Sequence, residues 1–140
     1  MQIGIVGLGR MGGNIMRRLA RAGHAAIGFD ASAETRAALA KEGMEIVDSL
    51  AALGARLAPP RALWLMLPHG EITEAAVTEA AALLQPGDAV IDGGNSFYKD
   101  DVRRAAALKS RQIAYLDVGV SGGVWGLERG YCLMIGGDEA

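Results

Sequence analysis

An open, mostly parallel α/β sheet with helices on both faces is the fold this sequence predicts, and three observations predict it. Short apolar runs rich in β-branched residues alternate with helical stripes along the whole chain. Of 20 glycines in 140 residues, thirteen gather in five places: Gly7, Gly9, Gly12 and Gly13; Gly93 and Gly94; Gly119, Gly122 and Gly123; Gly126 and Gly130; Gly136 and Gly137. Most of these groups directly follow an apolar run, where glycine marks a tight turn or backbone brought close to a ligand. Alanine is also abundant, as suits helices packed closely on a sheet.

The elements follow in order. Ile3-Gly4-Ile5-Val6 is a short buried-type strand. Met11 to Ala22 reads as a helix, with Met11, Ile15, Met16 and Leu19 on one stripe, Arg17, Arg18 and Arg21 opposite, and Gly23 closing it. Ala25 to Phe29 is a second strand, ending at Asp30. Ser32 can cap a helix that runs to Lys41 and Glu42 before Gly43. Glu45-Ile46-Val47 is a weak third strand, followed by a helix from Ser49 that Pro59-Pro60 stops. Ala62 to Leu67 is the longest apolar run and a central strand. Pro68-His69-Gly70 turns it into a helix from Glu71 to Leu84, ended by Pro86-Gly87. Ala89-Val90-Ile91 is the fifth strand. Asp100 and Asp101 in a first turn, and Lys109 and Arg111 in a last, suit the dipole of the next helix. Ile113 to Val118 and Tyr131 to Ile135 supply two more strands. A further helix would begin at Asp138-Glu139-Ala140.

Composition bounds the function. The length suits one domain, residues 1–140, with no linker or repeat. Hydrophobic content of 51% with 21% charged residues excludes a disordered chain. Fourteen basic against 16 acidic residues give a net charge of −2, which argues against a nucleic-acid partner. No apolar run approaches the ~20 residues of a membrane span, and no signal-peptide layout opens the chain. One cysteine excludes a disulfide framework and a cysteine-based metal cluster. The expectation is a cytoplasmic domain with no metal, and with Cys132 as a reduced thiol in a buried strand.

Gly7-Leu8-Gly9-Arg10-Met11-Gly12 has the spacing G-x-G-x-x-G. Alone the pattern is weak. Here it follows a strand, opens a helix and precedes Asp30, 18 residues after Gly12, which is the context of a Rossmann-type dinucleotide fingerprint. Gly7 would permit the tight turn, Gly9 the approach of a pyrophosphate to backbone amides at a helix start, and Gly12 the contact of helix with strand. A glycine turn serving packing alone is the plainer alternative. Asp30 can accept both hydroxyls of an adenosine ribose and would repel a 2′-phosphate, with no basic residue following until Arg36. That favours NAD over NADP, unless Asp30 only ends a strand or caps a helix.

Two more glycine-rich segments follow strands. In Asp92-Gly93-Gly94-Asn95-Ser96 the glycines clear space and Asn95 offers a donor and an acceptor. In Asp117-Val118-Gly119-Val120-Ser121-Gly122-Gly123 a hydroxyl and two amides suit the oxygens of a sugar acid. Either Asn95 or Ser121 could instead cap a helix. Three such segments on one rim are harder to dismiss than one.

Together with Leu133-Met134-Ile135-Gly136-Gly137, these segments resemble the decarboxylating 6-phosphogluconate dehydrogenases over essentially the whole chain. The Gly-Gly-Asn-Ser segment followed by Tyr98, Asp100, Arg103 and Arg104 is the most specific part. The first and third segments are shared with 3-hydroxyacid dehydrogenases of the hydroxyisobutyrate or tartronate-semialdehyde type, which usually carry serine or threonine where Asn95 stands. The resemblance implies an oxidoreductase of the pentose phosphate pathway. It would oxidise 6-phosphogluconate with NAD and release carbon dioxide to give ribulose 5-phosphate. It implies a cofactor site of Gly7, Leu8, Gly9, Arg10, Met11, Gly12, Asp30, Leu67 and Asn95. The phosphorylated sugar acid would meet Asn95, Ser121, Gly122 and Gly123, with Asn95 touching both ligands. Asp30 stands where NADP-dependent members have a neutral residue followed by arginine. Val124-Trp125-Gly126-Leu127 replaces a common acidic pair, and Pro68-His69-Gly70 a lysine-containing loop, so His69 receives no catalytic role.

The resembled family carries its catalytic lysine and proton-donating glutamate beyond the position of Ala140, on an all-helical domain that also forms its homo-oligomer. Of the three lysines here, Lys41 and Lys109 fall late in helices and Lys99 at a helix start, none among the three segments. The expectation is a chain that binds NAD but turns over 6-phosphogluconate poorly or not at all. The other reading is a stand-alone NAD-binding module. Absent the helical cover, an exposed apolar patch is also expected.

Overall fold

The computed structural model describes residues 1–137. In chain order its elements are β1 (Gln2–Val6), α1 (Arg10–Arg21), β2 (Ala25–Phe29), α2 (Ala33–Lys41), β3 (Glu45–Ile46), α3 (Leu50–Arg56) and β4 (Ala62–Leu65). Then come α4 (Glu71–Leu83), β5 (Ala89–Asp92), α5 (Tyr98–Lys109), β6 (Ala114–Ser121), a 3-10 turn (Gly123–Trp125), α6 (Gly126–Arg129) and β7 (Cys132–Gly137). The strands form one sheet in the order β3-β2-β1-β4-β5-β6-β7. All neighbours are parallel except β6 and β7. The order reverses between β1 and β4, and every parallel strand points its carboxyl end at the same edge, where such folds bind ligands.

Strand alternation splits the core in two. On one face Leu63, Leu65, Val90 and Tyr115 pack with Leu53 of α3, Val77 and Ala80 of α4, and Leu108 of α5. On the other, Ile3 and Ile5 pack with Ile15 and Met16 of α1 and Leu39 of α2. Of the expected α1 stripe, Ile15 and Met16 are buried while Met11 and Leu19 are half-buried at its ends. Gly23, at φ +80°, closes α1, a conformation that L side chains rarely adopt. Ser32 Oγ accepts from Thr35 N at 3.2 Å, so the expected cap forms, and Ser49 Oγ accepts from Ala52 N at 3.1 Å, which makes it the N-cap of α3 rather than its first residue.

Several elements differ from the sequence reading, among them α6 and the 3-10 turn before it, which it did not contain, and β3, which stops at Ile46 rather than Val47. β4 stops at Leu65: Met66 N still donates to Val6 O, but the chain then turns at Pro68, which has no N–H to continue a ladder. β6 runs on to Ser121 rather than ending at Val118, because antiparallel β7 pairs its backbone past the reach of β5, from Leu116–Gly137 to Ser121–Cys132. Cys132 is exposed rather than in a buried strand, since β7 is an edge strand and each of its residues is exposed. Exposed apolar side chains do stand here, with Met134, Ile135 and Trp125 each more than half exposed, but Met134 and Ile135 are consecutive in β7 and face opposite sides of the sheet rather than forming the one patch expected. The helix start at Asp138-Glu139-Ala140 lies outside the described residues. Among the described residues, no helix is long and apolar enough to cross a membrane.

Candidate active site at the carboxyl edge of the sheet

The turn from β1 into α1 is built by contact. Gly7 adopts φ +87°, and a Cβ there would stand 2.4 Å from Met66 O. A Cβ on Gly12 would stand 1.9 Å from Gly7 O, so helix and strand touch where the fingerprint requires it. Gly9 is different: no protein atom lies within 4 Å of where its Cβ would be. Gly9 is also the N-cap of α1, offers no side-chain cap, and no acidic residue occupies the first turn. The first-turn N–H groups, from exposed Arg10 and half-buried Met11 onward, carry their partial positive charge uncompensated.

Asp30 stands beside this turn at the end of β2. Its Oδ2 accepts from Leu8 N at 2.7 Å and its Oδ1 from Ser32 N at 2.8 Å. The carboxylate is thus fixed in place, with a further lone pair on each oxygen. Its strand-end role and its candidate ligand role coexist. The Leu8 amide is already committed to Asp30 and the Leu8 side chain is buried in the core, so Leu8 shapes the turn from within. A cleft of about 560 Å³ joins Gly7, Gly9, Asp30 and Leu67 with Pro68 and Ile72 at the start of α4.

Arg36, the first basic residue after Asp30 and read as too far along the chain to matter, comes back to this turn. From α2 its Nη1 reaches back to donate to Asp30 O at 2.7 Å and Ala31 O at 3.1 Å. A cation therefore borders the same turn, with its charge directed at carbonyls. The only signal is helical geometry, which carries position 36 back toward the start of α2.

The second segment obeys other physics. Gly93 and Gly94 do not clear space for a ligand: a Cβ on Gly93 would meet Trp64 Nε1 at 2.4 Å, and one on Gly94 would meet Leu67 O at 2.6 Å. Both yield to the protein itself. The shared neighbours Met66 and Leu67 hold the first and second segments against one another. Asn95 is exposed and caps nothing, since the N-cap of α5 is Phe97. Behind it lies a buried polar network. Asp92 Oδ1 accepts from Gly94 N at 2.9 Å and Oδ2 from Ser96 Oγ at 2.7 Å. Tyr115 Oη lies 2.7 Å from Asp101 Oδ1 and 3.1 Å from Asp92 Oδ2, while Arg104 Nη1 donates to Asp101 Oδ1 at 3.2 Å and its Nε to Glu74 Oε2 at 2.9 Å.

Burial governs the titration of this network. Desolvation, then the hydrogen bond to Asp101, pushes the Tyr115 hydroxyl up, and desolvation likewise raises Asp101. Glu74 is drawn down to about 2, chiefly by its hydrogen bond from Arg103. Sequence reasoning gave Asp101 to the helix dipole and missed the network. The available signal was a charged pair, Asp101 and Arg104, on the same inward stripe as Leu108.

The third segment stands off the edge. Asp117 pairs with Asp92, so Ser121 lies four residues beyond the end of β5, roughly 13 Å along the strand. Ser121 is exposed and paired with Cys132, and caps no helix. Gly122 at φ +143° and Gly123 at φ +51° then turn the chain over α1, where Arg18 Nη1 donates to Leu127 O at 3.1 Å and Arg21 pairs with Glu128 at 2.8 Å. His69 is exposed, and Lys99 lies over the Phe97 ring at 5.8 Å on an exposed helix start.

Comparisons with known proteins bear on this geometry. Residues 2–140 match the family described as the NAD binding domain of 6-phosphogluconate dehydrogenase. The chain is 45% identical over 139 residues to an NAD(+)-dependent, decarboxylating 6-phosphogluconate dehydrogenase of Haloferax volcanii, covering 99% of this chain and 46% of that protein. It is 36% identical over 141 residues to a decarboxylating 6-phosphogluconate dehydrogenase of Bacillus licheniformis, covering 98% of this chain and 30% of that protein. The chain thus spans less than half the length of these relatives. Among solved structures, Plasmodium falciparum 6-phosphogluconate dehydrogenase superposes with a TM-score of 0.93 at 27% identity, covering 99% of this chain and 31% of that one. Mycobacterium tuberculosis 3-hydroxyisobutyrate dehydrogenase gives 0.87 at 30% identity, covering 99% and 47%. The family match runs over nearly the whole chain, from the turn after β1 through the segment that carries Asn95, and the chain belongs to the family of NAD-binding domains of 6-phosphogluconate dehydrogenase.

Proposed function

We propose that this chain is the cofactor-binding and substrate-orienting part of a cytoplasmic, NAD-preferring 6-phosphogluconate dehydrogenase that yields ribulose 5-phosphate and carbon dioxide. The observation that carries the reading is the amino end of α1. An uncapped helix start behind an unobstructed Gly9 fits an anionic pyrophosphate, and the anchored Asp30 beside it fits a ribose diol. When bound there, NAD supplies the acceptor for a hydride.

The chain's own residues hold and orient. Gly7, Gly9, Arg10, Met11 and Gly12 form the turn that receives the pyrophosphate, with Leu8 supporting it from the core. Leu67 walls the cleft. Asp30 accepts from the ribose hydroxyls and its charge disfavours a 2′-phosphate; the NAD-dependent relative from Haloferax volcanii supports this preference. Asn95 donates and accepts where the nicotinamide and the sugar acid meet, and Ser121, Gly122 and Gly123 offer a hydroxyl and amides to the sugar acid. Removal of the hydroxyl proton and protonation of the product need a positioned acid–base group, and no lysine among the described residues stands in these three segments. The reading therefore assigns proton transfer, and homo-oligomer formation, to a helical domain supplied by the whole protein.

Isothermal calorimetry on the 140-residue chain tests the cofactor assignment. NAD should bind at least about tenfold more tightly than NADP; equal or tighter NADP binding defeats the preference. The 3-hydroxyisobutyrate dehydrogenase neighbour, at 30% identity, keeps a second substrate reading in play. Offering 6-phosphogluconate and 3-hydroxyisobutyrate to the whole protein with NAD separates the two.

A further inference from the structure

Asn95 is exposed, while the residues on either side of it are tied to a single buried carboxylate. Asp92 is fully buried at the end of β5. Its two oxygens take the Gly94 amide at 2.9 Å and the Ser96 hydroxyl at 2.7 Å, bracketing Asn95 from both sides. Two further groups fix the carboxylate in turn: Arg104 Nη1 of α5, which donates at a long 3.5 Å, and Tyr115 Oη of β6 at 3.1 Å, whose single proton is shared with Asp101 Oδ1 at 2.7 Å. Gly94 is pressed against Leu67 O, so the bracketed turn also rests on the end of β4.

We propose that Asp92 and Ser96 are positioning residues that set the direction of the Asn95 side chain. This rests on the reading of Asn95 as the group between nicotinamide and sugar acid. Two of the groups that converge on position 92, the Gly94 N–H and the Arg104 guanidinium, can only donate, one to each oxygen, so both atoms there must accept, and that is a carboxylate. An asparagine there would turn its NH2 toward one of these two donors, the Gly94 amide or the Arg104 guanidinium. The energetic logic is pre-organisation: an amide already held by its backbone loses less freedom when the ligand arrives.

The test uses the 140-residue chain with NAD and ADP-ribose as probes, the second lacking the nicotinamide. Ser96→Ala should leave ADP-ribose affinity within about twofold and weaken NAD roughly fivefold. Asn95→Ala should do the same, and the double variant should lose no more than Asn95→Ala alone. Ser96→Thr, which keeps the hydroxyl, should restore the native ratio of affinities. Asp92→Asn, where it folds, should show a nicotinamide-selective loss at least as large; where it does not, Ser96→Ala decides. Equal losses for both probes, or additive losses in the double variant, would show a merely structural role and overturn the proposal. If Asn95→Ala changes the ratio and Ser96→Ala does not, positioning falls while the reading of Asn95 stands. If Asn95→Ala leaves the ratio unchanged, the reading of Asn95 falls and the proposal with it.

Discussion

The turns after β1 and after β5 look alike in sequence, each a strand followed by clustered glycines, yet they solve opposite problems. After β1 the glycines end in emptiness: Gly9 has open space in place of a side chain and opens a helix without a cap. After β5 the glycines are filled by the protein, with Trp64 Nε1 and Leu67 O where the Cβ atoms of Gly93 and Gly94 would be. The first turn exposes backbone polarity. The second buries side-chain polarity beneath one exposed amide. The difference teaches that clustered glycine reports close approach without saying by what, and that the approaching group must be found in three dimensions.

The sharpest way to break this comparison lies within the first turn, where Gly12 and Gly9 should fail differently. Gly12→Ala drives a Cβ against Gly7 O and should cost about 3 kcal/mol or more, read as a large drop in Tm. Gly9→Ala meets nothing and has an ordinary φ of −60°, so its Tm should move little while NAD affinity falls about tenfold or more. A Gly9→Ala variant that melts early but binds normally would make this turn a packing device like the second.

Asp30→Ala comes next in size. Removing two charge-assisted ribose contacts should weaken NAD about tenfold to a hundredfold by calorimetry. The same change removes the charge opposed to a 2′-phosphate while Arg36 stays at the turn, so NADP should bind more tightly than it does to the native chain. Loss of both cofactors alike would mean that Asp30 serves only to hold Leu8 and Ser32.

The succession of strands and helices and the first turn were legible because both are written in local pattern: β-branched runs, helical stripes, a serine cap at Ser32, and a glycine spacing tied to Asp30. What was not legible came from register and burial. β6 was read as ending at Val118, but β7 prolongs it to Ser121, four residues beyond Asp92's partner. Cys132 was read as buried because its run is apolar, and composition does not tell a central strand from an edge. Asp101 was read only against the helix dipole and Arg104 only as part of a motif, because a sequence shows that a residue is ionic, not that its partner waits inside.

Within the second turn, Tyr115→Phe should cost about 2 kcal/mol by chemical denaturation, because it deletes a buried hydroxyl that Asp92 and Asp101 both approach and leaves their acceptors short of a donor. A silent Tyr115→Phe would mean that Arg104 and Ser96 satisfy the carboxylates alone.

The smallest effect expected is a pH dependence from Glu74, the outermost member of that network. Arg103 and Arg104 hold its carboxyl down to about 2, against 4.5 for a free glutamate. A lowered folded pKa gives stability that is fully present above the unfolded value and lost as pH falls from about 4.5 through about 2. Glu74 is 40% exposed and Arg103 57%, so solvent screens the pair and its worth stays below about 1 kcal/mol. Comparing the native chain with Glu74→Gln across acid pH should therefore show a small gap at neutral pH that closes in that window and shrinks with added salt. A gap that persisted below it would place Glu74's contribution in packing against Arg104 rather than in charge.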